Sequence, residues 1–394
     1  MNSFNRRKFL QLSGLAAIPV TVPAHAFADK TADEEMQFAN PQTVSFVSEG
    51  PLYNPAQYID KLKEITTGKE VARDFYGQGG VVEQLCRKMA SITGKSAAVF
   101  IPTGTLANQL ALATLSGENS KVFVQETSHV YRDEADAAQT LFNKRLIPLA
   151  KGQPFFTAEE LEASVNYHQQ EEVFKTGIGA VSIEVPVRRN DNRTFPIDEI
   201  KKISAYCRKN NFKMHLDGAR IHLDAAFTGV SVGEYAKYFD SVYMCTYKYL
   251  GANGGAVLCG DESLISKMDH LIKIHGGSIF SNWPNAAIAL HNLEGIEQRL
   301  SSVAAKAKEW INTMKQIPGL KLTALDGGTN VYYLAFAKNM DIDKFKTTLR
   351  TKYSIFTGVA DKEGIIRIRF NETFLNQDNV TLTKAFAEAI AAAK

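Results

Sequence analysis

The chain has 394 residues, 45% of them apolar, and a formal charge of +3. Arg6, Arg7 and Lys8 supply all of that charge, since no acid precedes Asp29, and the near-neutral remainder gives no sign of nucleic-acid binding. No apolar run reaches the roughly 18 residues that cross a bilayer, and the length suits about two to three domains.

Residues 1–28 read as an export signal. Asn5-Arg6-Arg7-Lys8-Phe9-Leu10 precedes a weakly apolar stretch, and Ala24-His25-Ala26 is a small-x-small cleavage site. Paired arginines before Phe-Leu resemble the twin-arginine signal, which carries folded proteins to the periplasm. The mature chain is then expected to begin near Phe27 or Asp29, with no membrane attachment.

Residues 29–60 read as an arm rather than a core element. A loop, Asp74 to Gly80, leads into an amphipathic helix, Val81 to Thr93. Short apolar strands then alternate with helices. Strands are predicted at Ala97–Ile101, Val122–Val124, Arg145–Leu149, Gly179–Glu184, Lys213–Asp217, Ser241–Cys245 and Ala256–Cys259. Helices are predicted at Thr105–Leu115, Ala158–His168 and Ile197–Asn210. That alternation implies an α/β fold with a mostly parallel sheet. A helical region, Trp283 to Lys315, links it to a smaller α+β unit. The unit has strands at Leu320–Ala324, Thr329–Ala335 and Ile365–Phe370 and a final helix, Leu382–Ala393. The expected division is 61–290 for the large domain and 291–394 for the small one. Cys86, Cys207, Cys245 and Cys259 lie in apolar contexts without metal-ligand spacing, so buried free thiols are expected and no metal site.

Site candidates cluster after strand ends, where open α/β sheets bind ligands. Thr103, Gly104 and Thr105 open a helix whose free N–H groups suit a phosphate. His129 follows the second strand, between Glu126 and Glu134. Asp217 ends an apolar strand and Arg220 follows three residues later. A cation is poorly placed at a helix start, which favours a functional role for Arg220. His222 and Asp224 read as structural. Lys248 follows the Ser241–Cys245 strand, where an apolar setting favours the neutral, nucleophilic amine. One carboxylate, one guanidinium and one amine are what a pyridoxal phosphate (PLP) enzyme needs. The amine bonds covalently to the cofactor aldehyde, the aspartate holds the pyridine nitrogen, and the arginine grips a substrate carboxylate. Arg367 and Arg369 share one face of a predicted strand, and one of them is a further candidate for that carboxylate.

These residues sit in motifs with a familiar look. Pro102 to Gln109 (Pro-Thr-Gly-Thr-Leu-Ala-Asn-Gln), His215 to Ile221 (His-Leu-Asp-Gly-Ala-Arg-Ile) and Lys248 to Ala252 (Lys-Tyr-Leu-Gly-Ala) resemble the threonine aldolase and aromatic amino acid β-eliminating lyase group of fold-type I PLP enzymes. Phe75-Tyr76-Gly77 and Ile272 to Gly277 are similar as well. The resemblance spans about Asp74 to Phe370. It implies a seven-stranded sheet and a homodimer or homotetramer. It implies that Lys248 carries PLP, Asp217 binds the pyridine nitrogen, His129 stacks on the ring, and Gly104 and Thr105 hold the phosphate. It assigns Arg220, Arg367 and Ser48 to the substrate carboxylate. The chain departs from the pattern at Glu184-Val185-Pro186, where the group often has Glu-Asn-Thr. A histidine that handles the substrate hydroxyl falls on Phe174, and an arginine falls near Phe280. The implied reaction is cleavage of a β-hydroxy-α-amino acid such as threonine to glycine and an aldehyde, on an amino acid free in solution. Those departures keep β-elimination open, with Lys248 as base. A binding protein without catalysis fits the complete set of Asp217, Arg220 and Lys248 least.

Overall fold

The computed structural model describes residues 40–51, 53–68 and 70–394. The expected export signal and the first part of the arm lie outside them. The strands, in chain order, are β1 (Val44–Ser45), β2 (Ala97–Ile101), β3 (Lys121–Gln125), β4 (Arg145–Leu149), β5 (Ile178–Glu184), β6 (Lys213–Asp217), β7 (Ser241–Cys245), β8 (Ala256–Gly260), β9 (Leu320–Ala324), β10 (Val331–Phe336), β11 (Ile355–Phe356) and β12 (Ile366–Arg369). Helices of eight residues or more are α1 (Pro55–Gly68), α2 (Gly80–Thr93), α3 (Gly104–Ser116), α4 (Ala158–Gln170), α5 (Ile197–Lys209), α6 (Ile221–Thr228), α7 (Trp283–Leu293), α8 (Ile296–Met314), α9 (Ile342–Tyr353) and α10 (Asn379–Ala393).

Seven strands form one sheet in the order β2-β8-β7-β6-β5-β3-β4, and β8 alone runs antiparallel to its neighbours. Every residue of β3, β7 and β8 is buried, as expected of strands covered on both faces. Alternation along β7 decides which residue meets which layer. Val242 and Met244 join a core with α2, α4 and α7, while Tyr243 and Cys245 face α3. All four cysteines are buried and free. The helical region expected over 283–315 is two helices, because Gly295 between them adopts φ +67°, outside the helical range.

β9, β10 and β12 form a second, antiparallel sheet in the order β12-β10-β9. It packs with α8 and α10 around Trp310, whose ring centroid lies 4.9 Å from Phe386 and 5.6 Å from Phe374. The arm belongs to this core rather than lying outside it. Phe46 is 0% exposed and packs 6.1 Å from Trp310. Its N–H donates to Phe356 O at 2.8 Å, and its carbonyl accepts from Arg369 N at 3.1 Å. The arm gave no strand signal because β1 and β11 are two residues each, too short for alternation to show.

Candidate active site

A cavity of about 380 Å³ opens at the carboxyl ends of β2, β3, β5, β6 and β7. It lies within the range of small-molecule sites. β3, β5 and β6 each stop at a polar residue, Gln125, Glu184 and Asp217.

β2 leads into Pro102-Thr103-Gly104, and Thr103 caps α3 by accepting the Leu106 N–H at 3.2 Å. Gly104 and Thr105 therefore present the start of a thirteen-residue helix to the cavity. A Cβ on Gly104 would collide with the Tyr243 hydroxyl, so this approach admits glycine alone. Further along α3, Asn108 is buried and joins three groups. Its amide donates to Glu134 Oε1 at 2.8 Å and Asp217 Oδ2 at 3.0 Å, and its carbonyl oxygen is 3.0 Å from His215 Nε2.

Asp217, at the tip of β6, is 3% exposed. Its other oxygen accepts the Ala219 N–H at 3.1 Å. Among the described residues it forms no ion pair, although it is a buried carboxylate. Lys248, half-buried beyond β7, forms none either, and its Nζ rests 5.2 Å from the Tyr247 ring centroid. His129 Nδ1 lies 3.0 Å from Glu134 Oε1. That bond raises the imidazole pKa above its ordinary value, with Asp217 adding to it. Burial raises Glu134 as well. Glu184, at the end of β5 beside Asp217, accepts the His129 N–H at 2.7 Å and the Arg188 N–H at 2.9 Å. Burial and then the Asp217 charge push its carboxyl up to about 7.

Gly104, Thr105, His129, Asp217, Arg220 and Lys248 thus line one cavity. Arg220 keeps its place in the cavity, while the expectations for Arg367 and Ser48 need correction. Arg220 has a partner already: Glu49 receives Nε at 3.0 Å and Nη2 at 2.8 Å on both oxygens. Arg367 does not line the cavity; its Nε bonds Asp191 at 2.9 Å and its Nη1 is 3.5 Å from Asp361. Ser48 lies on a separate groove, its hydroxyl 3.4 Å from Ser45 O. Within its own protomer Phe174 does not reach the cavity. It is 90% exposed and precedes β5, whose carboxyl end borders the cavity, so a strand length of roughly 20 Å separates them. Phe280 is on the surface, packed edge-on against Phe75 and Tyr76 with Arg73 over its ring. Glu49, Asn108 and Glu184 complete the site. Glu49 did carry a signal, as the one charged residue between Glu35 and Asp60.

Residues 58–337 match the family model of β-eliminating lyases. The chain belongs to the β-eliminating lyase family. Among relatives of this lyase, the low-specificity L-threonine aldolase of Candida albicans is 33% identical over 329 residues, 82% of this chain and 85% of that one. A crystal structure from Exiguobacterium sp. 255-15, described as an aromatic amino acid β-eliminating lyase/threonine aldolase, superposes with a TM-score of 0.75 at 26% identity. It covers 91% of this chain and 99% of its own. Leishmania major threonine aldolase shares the fold, with a TM-score of 0.67 at 16% identity over 89% of this chain and 99% of its own. Family and fold imply dependence on PLP, and the cavity fits that group. A buried carboxylate without a cation, an amine without an anion and a glycine-lined helix start are complementary to a pyridine nitrogen, an aldehyde and a phosphate.

Proposed function

We propose that this lyase cleaves the Cα–Cβ bond of a β-hydroxy-α-amino acid such as L-threonine, giving glycine and an aldehyde. Bound PLP supplies the electron sink that lets a bond at Cα break. Lys248 would hold it covalently, Asp217 would keep the pyridine nitrogen protonated, and Gly104 and Thr105 would receive the phosphate. Arg220 binds the substrate carboxylate. Fixing that one substituent of Cα limits which bond is held ready to break. His129 Nε2, opposite the nitrogen tied to Glu134, accepts the β-hydroxyl proton when the ring is neutral. The observation that carries this reading is the pairing of opposites left open in one cavity, the Lys248 amine and the buried Asp217 carboxylate.

A second reading is β-elimination. It draws on the exposure of Phe174, which leaves His129 as the one imidazole lining the cavity among the described residues. Purified enzyme given L-threonine, L-allo-threonine and phenylserine separates the two. Glycine with an aldehyde supports cleavage. A keto acid with ammonia and no glycine supports elimination.

The same proposal extends to the rest of the chain. Residues 1–28 direct twin-arginine export, so the mature enzyme works in the periplasm as a homodimer or homotetramer. Residues 61–290 form the cofactor-binding domain and 291–394 the smaller one. Exposed Phe75, Tyr76 and Phe280, 54%, 57% and 53% accessible, support an assembled state. Cell fractionation of the wild type against Arg6→Lys/Arg7→Lys, with light scattering of the purified protein, tests both.

A further inference from the structure

Arg220 is 4% exposed, and a guanidinium that deep in the protein needs a partner. Its five N–H donors are arranged in a rigid fork. Glu49 uses the Nε–Nη2 edge of that fork through three contacts of 2.8–3.0 Å. Nη1 has no hydrogen-bond partner among the described residues, and Arg220 lines the cavity. We propose that Glu49 is a positioning residue for substrate binding: it holds one edge of Arg220 and leaves the Nη1 side for the carboxylate of an α-amino acid. This rests on the role given to Arg220 above.

The arm is built to deliver Glu49. Asn371 Nδ2 donates to Ser45 O at 2.6 Å and to Ser48 O at 3.1 Å, which pins the chain on both sides of Phe46. Gly50 follows with φ +122°, in the region that favours glycine. A Cβ there would stand 2.7 Å from Lys248 O and from Tyr249 Cα. The arm backbone therefore lies directly on the segment that carries Lys248. Burial alone would raise the Glu49 pKa, but Arg220 outweighs it, Lys248 adds to the effect, and the carboxyl sits below its ordinary value. Arg220 and Glu49 thus enter the site as a neutral pair, and a substrate carboxylate adds one charge rather than cancelling one.

The test compares holoenzyme carrying Glu49→Gln, Glu49→Ala and Glu49→Asp with the wild type. Glycine and L-threonine affinity is read from the visible absorbance of the cofactor, independently of turnover, alongside kcat, KM and the unfolding midpoint. Removal of one member of a buried charged pair should weaken glycine binding and raise KM by about tenfold or more in Glu49→Ala, with a smaller change in kcat. Glu49→Gln keeps the shape and one acceptor oxygen, so it should fall between, with an unfolding midpoint near that of the wild type. Glu49→Asp should recover part of the lost affinity. Glycine binding unchanged in Glu49→Gln and Glu49→Ala would overturn the proposal. Tighter binding would overturn it too, making Glu49 a competitor for Arg220. If Glu49→Ala does not fold, Glu49→Gln decides. If the wild type binds glycine but cleaves no β-hydroxy amino acid, the cleavage reading fails on its own, and the affinity ratios still decide the role of Glu49.

Discussion

Two walls of different origin hold the site in place, one lining the cavity and one standing behind it. One is the row of strand tips on the large sheet, which carries Gly104, His129, Glu184, Asp217 and the Lys248 loop. The other is the arm, which reaches Arg220 through Glu49 after crossing the second core at Phe46. The strand tips leave Lys248 and Asp217 without ion-pair partners, and unpaired groups are what chemistry needs. The arm does the opposite and completes a pair, and paired groups are what orientation needs. Reactive and orienting groups therefore differ in the kind of segment that delivers them.

Lys248→Ala breaks the first wall alone. Activity should fall by at least about 10³-fold, the scale on which loss of a covalent nucleophile acts. Stability should shift by no more than about 0.5 kcal/mol, because the amine makes no ion pair and is half-buried. Assay of product release beside urea unfolding checks both. A variant with a tenth of the wild-type rate would remove Lys248 from the mechanism.

Phe46→Ala attacks the second wall from its anchor. Truncating a fully buried phenylalanine should cost about 3–5 kcal/mol. Because the arm loosens with it, KM should rise while kcat changes less, the reverse of Lys248→Ala. Equal losses in kcat and KM would mean that arm and site are not coupled.

Asn108→Ala tests the hidden support of the first wall. It leaves His215, Asp217 and Glu134 each short of one hydrogen bond. An orphaned buried polar group costs about 1–3 kcal/mol, so a total near 3 kcal/mol is expected after relaxation. A calorimetric midpoint within about one degree of the wild type would show that water replaces the amide.

The first wall was legible in the sequence and the second largely was not. Residues 214–217 and 241–245 are buried runs with one reactive group at or just past the end, so strand, terminus and site appear together. Alternation puts Arg367 and Arg369 on one face of β12, and Ile366 and Ile368 are fully buried on the other. The partner of Arg367 could not be foreseen, since Asp191 lies 176 positions away. Glu49 and Arg220 are 171 apart, and nothing periodic links them. α1 carries a weak sequence signal because Tyr58 is its one buried residue and little of it forms an apolar face.

The two walls should also respond to pH with opposite sign. Glu49 is held below its ordinary value by Arg220, after burial is overcome. Its contribution is present above the unfolded value of 4.5 and is lost as pH falls through the native one. Glu184 is raised from 4.5 to about 7 by burial first and Asp217 second. Between those values the unfolded chain has released a proton that the native carboxyl retains, so stability falls as pH rises across the window. The full shift corresponds to about 3 kcal/mol at most, so a loss of about 1–2 kcal/mol should be visible between pH 5 and 7. Glu184→Gln cannot titrate, so its urea midpoint should change less over that window than the wild-type midpoint does. Equal slopes would mean that Glu184 stays ionised beside Asp217. The backbone donors from His129 and Arg188 would then outweigh burial at the strand tip, as Arg220 does at the arm.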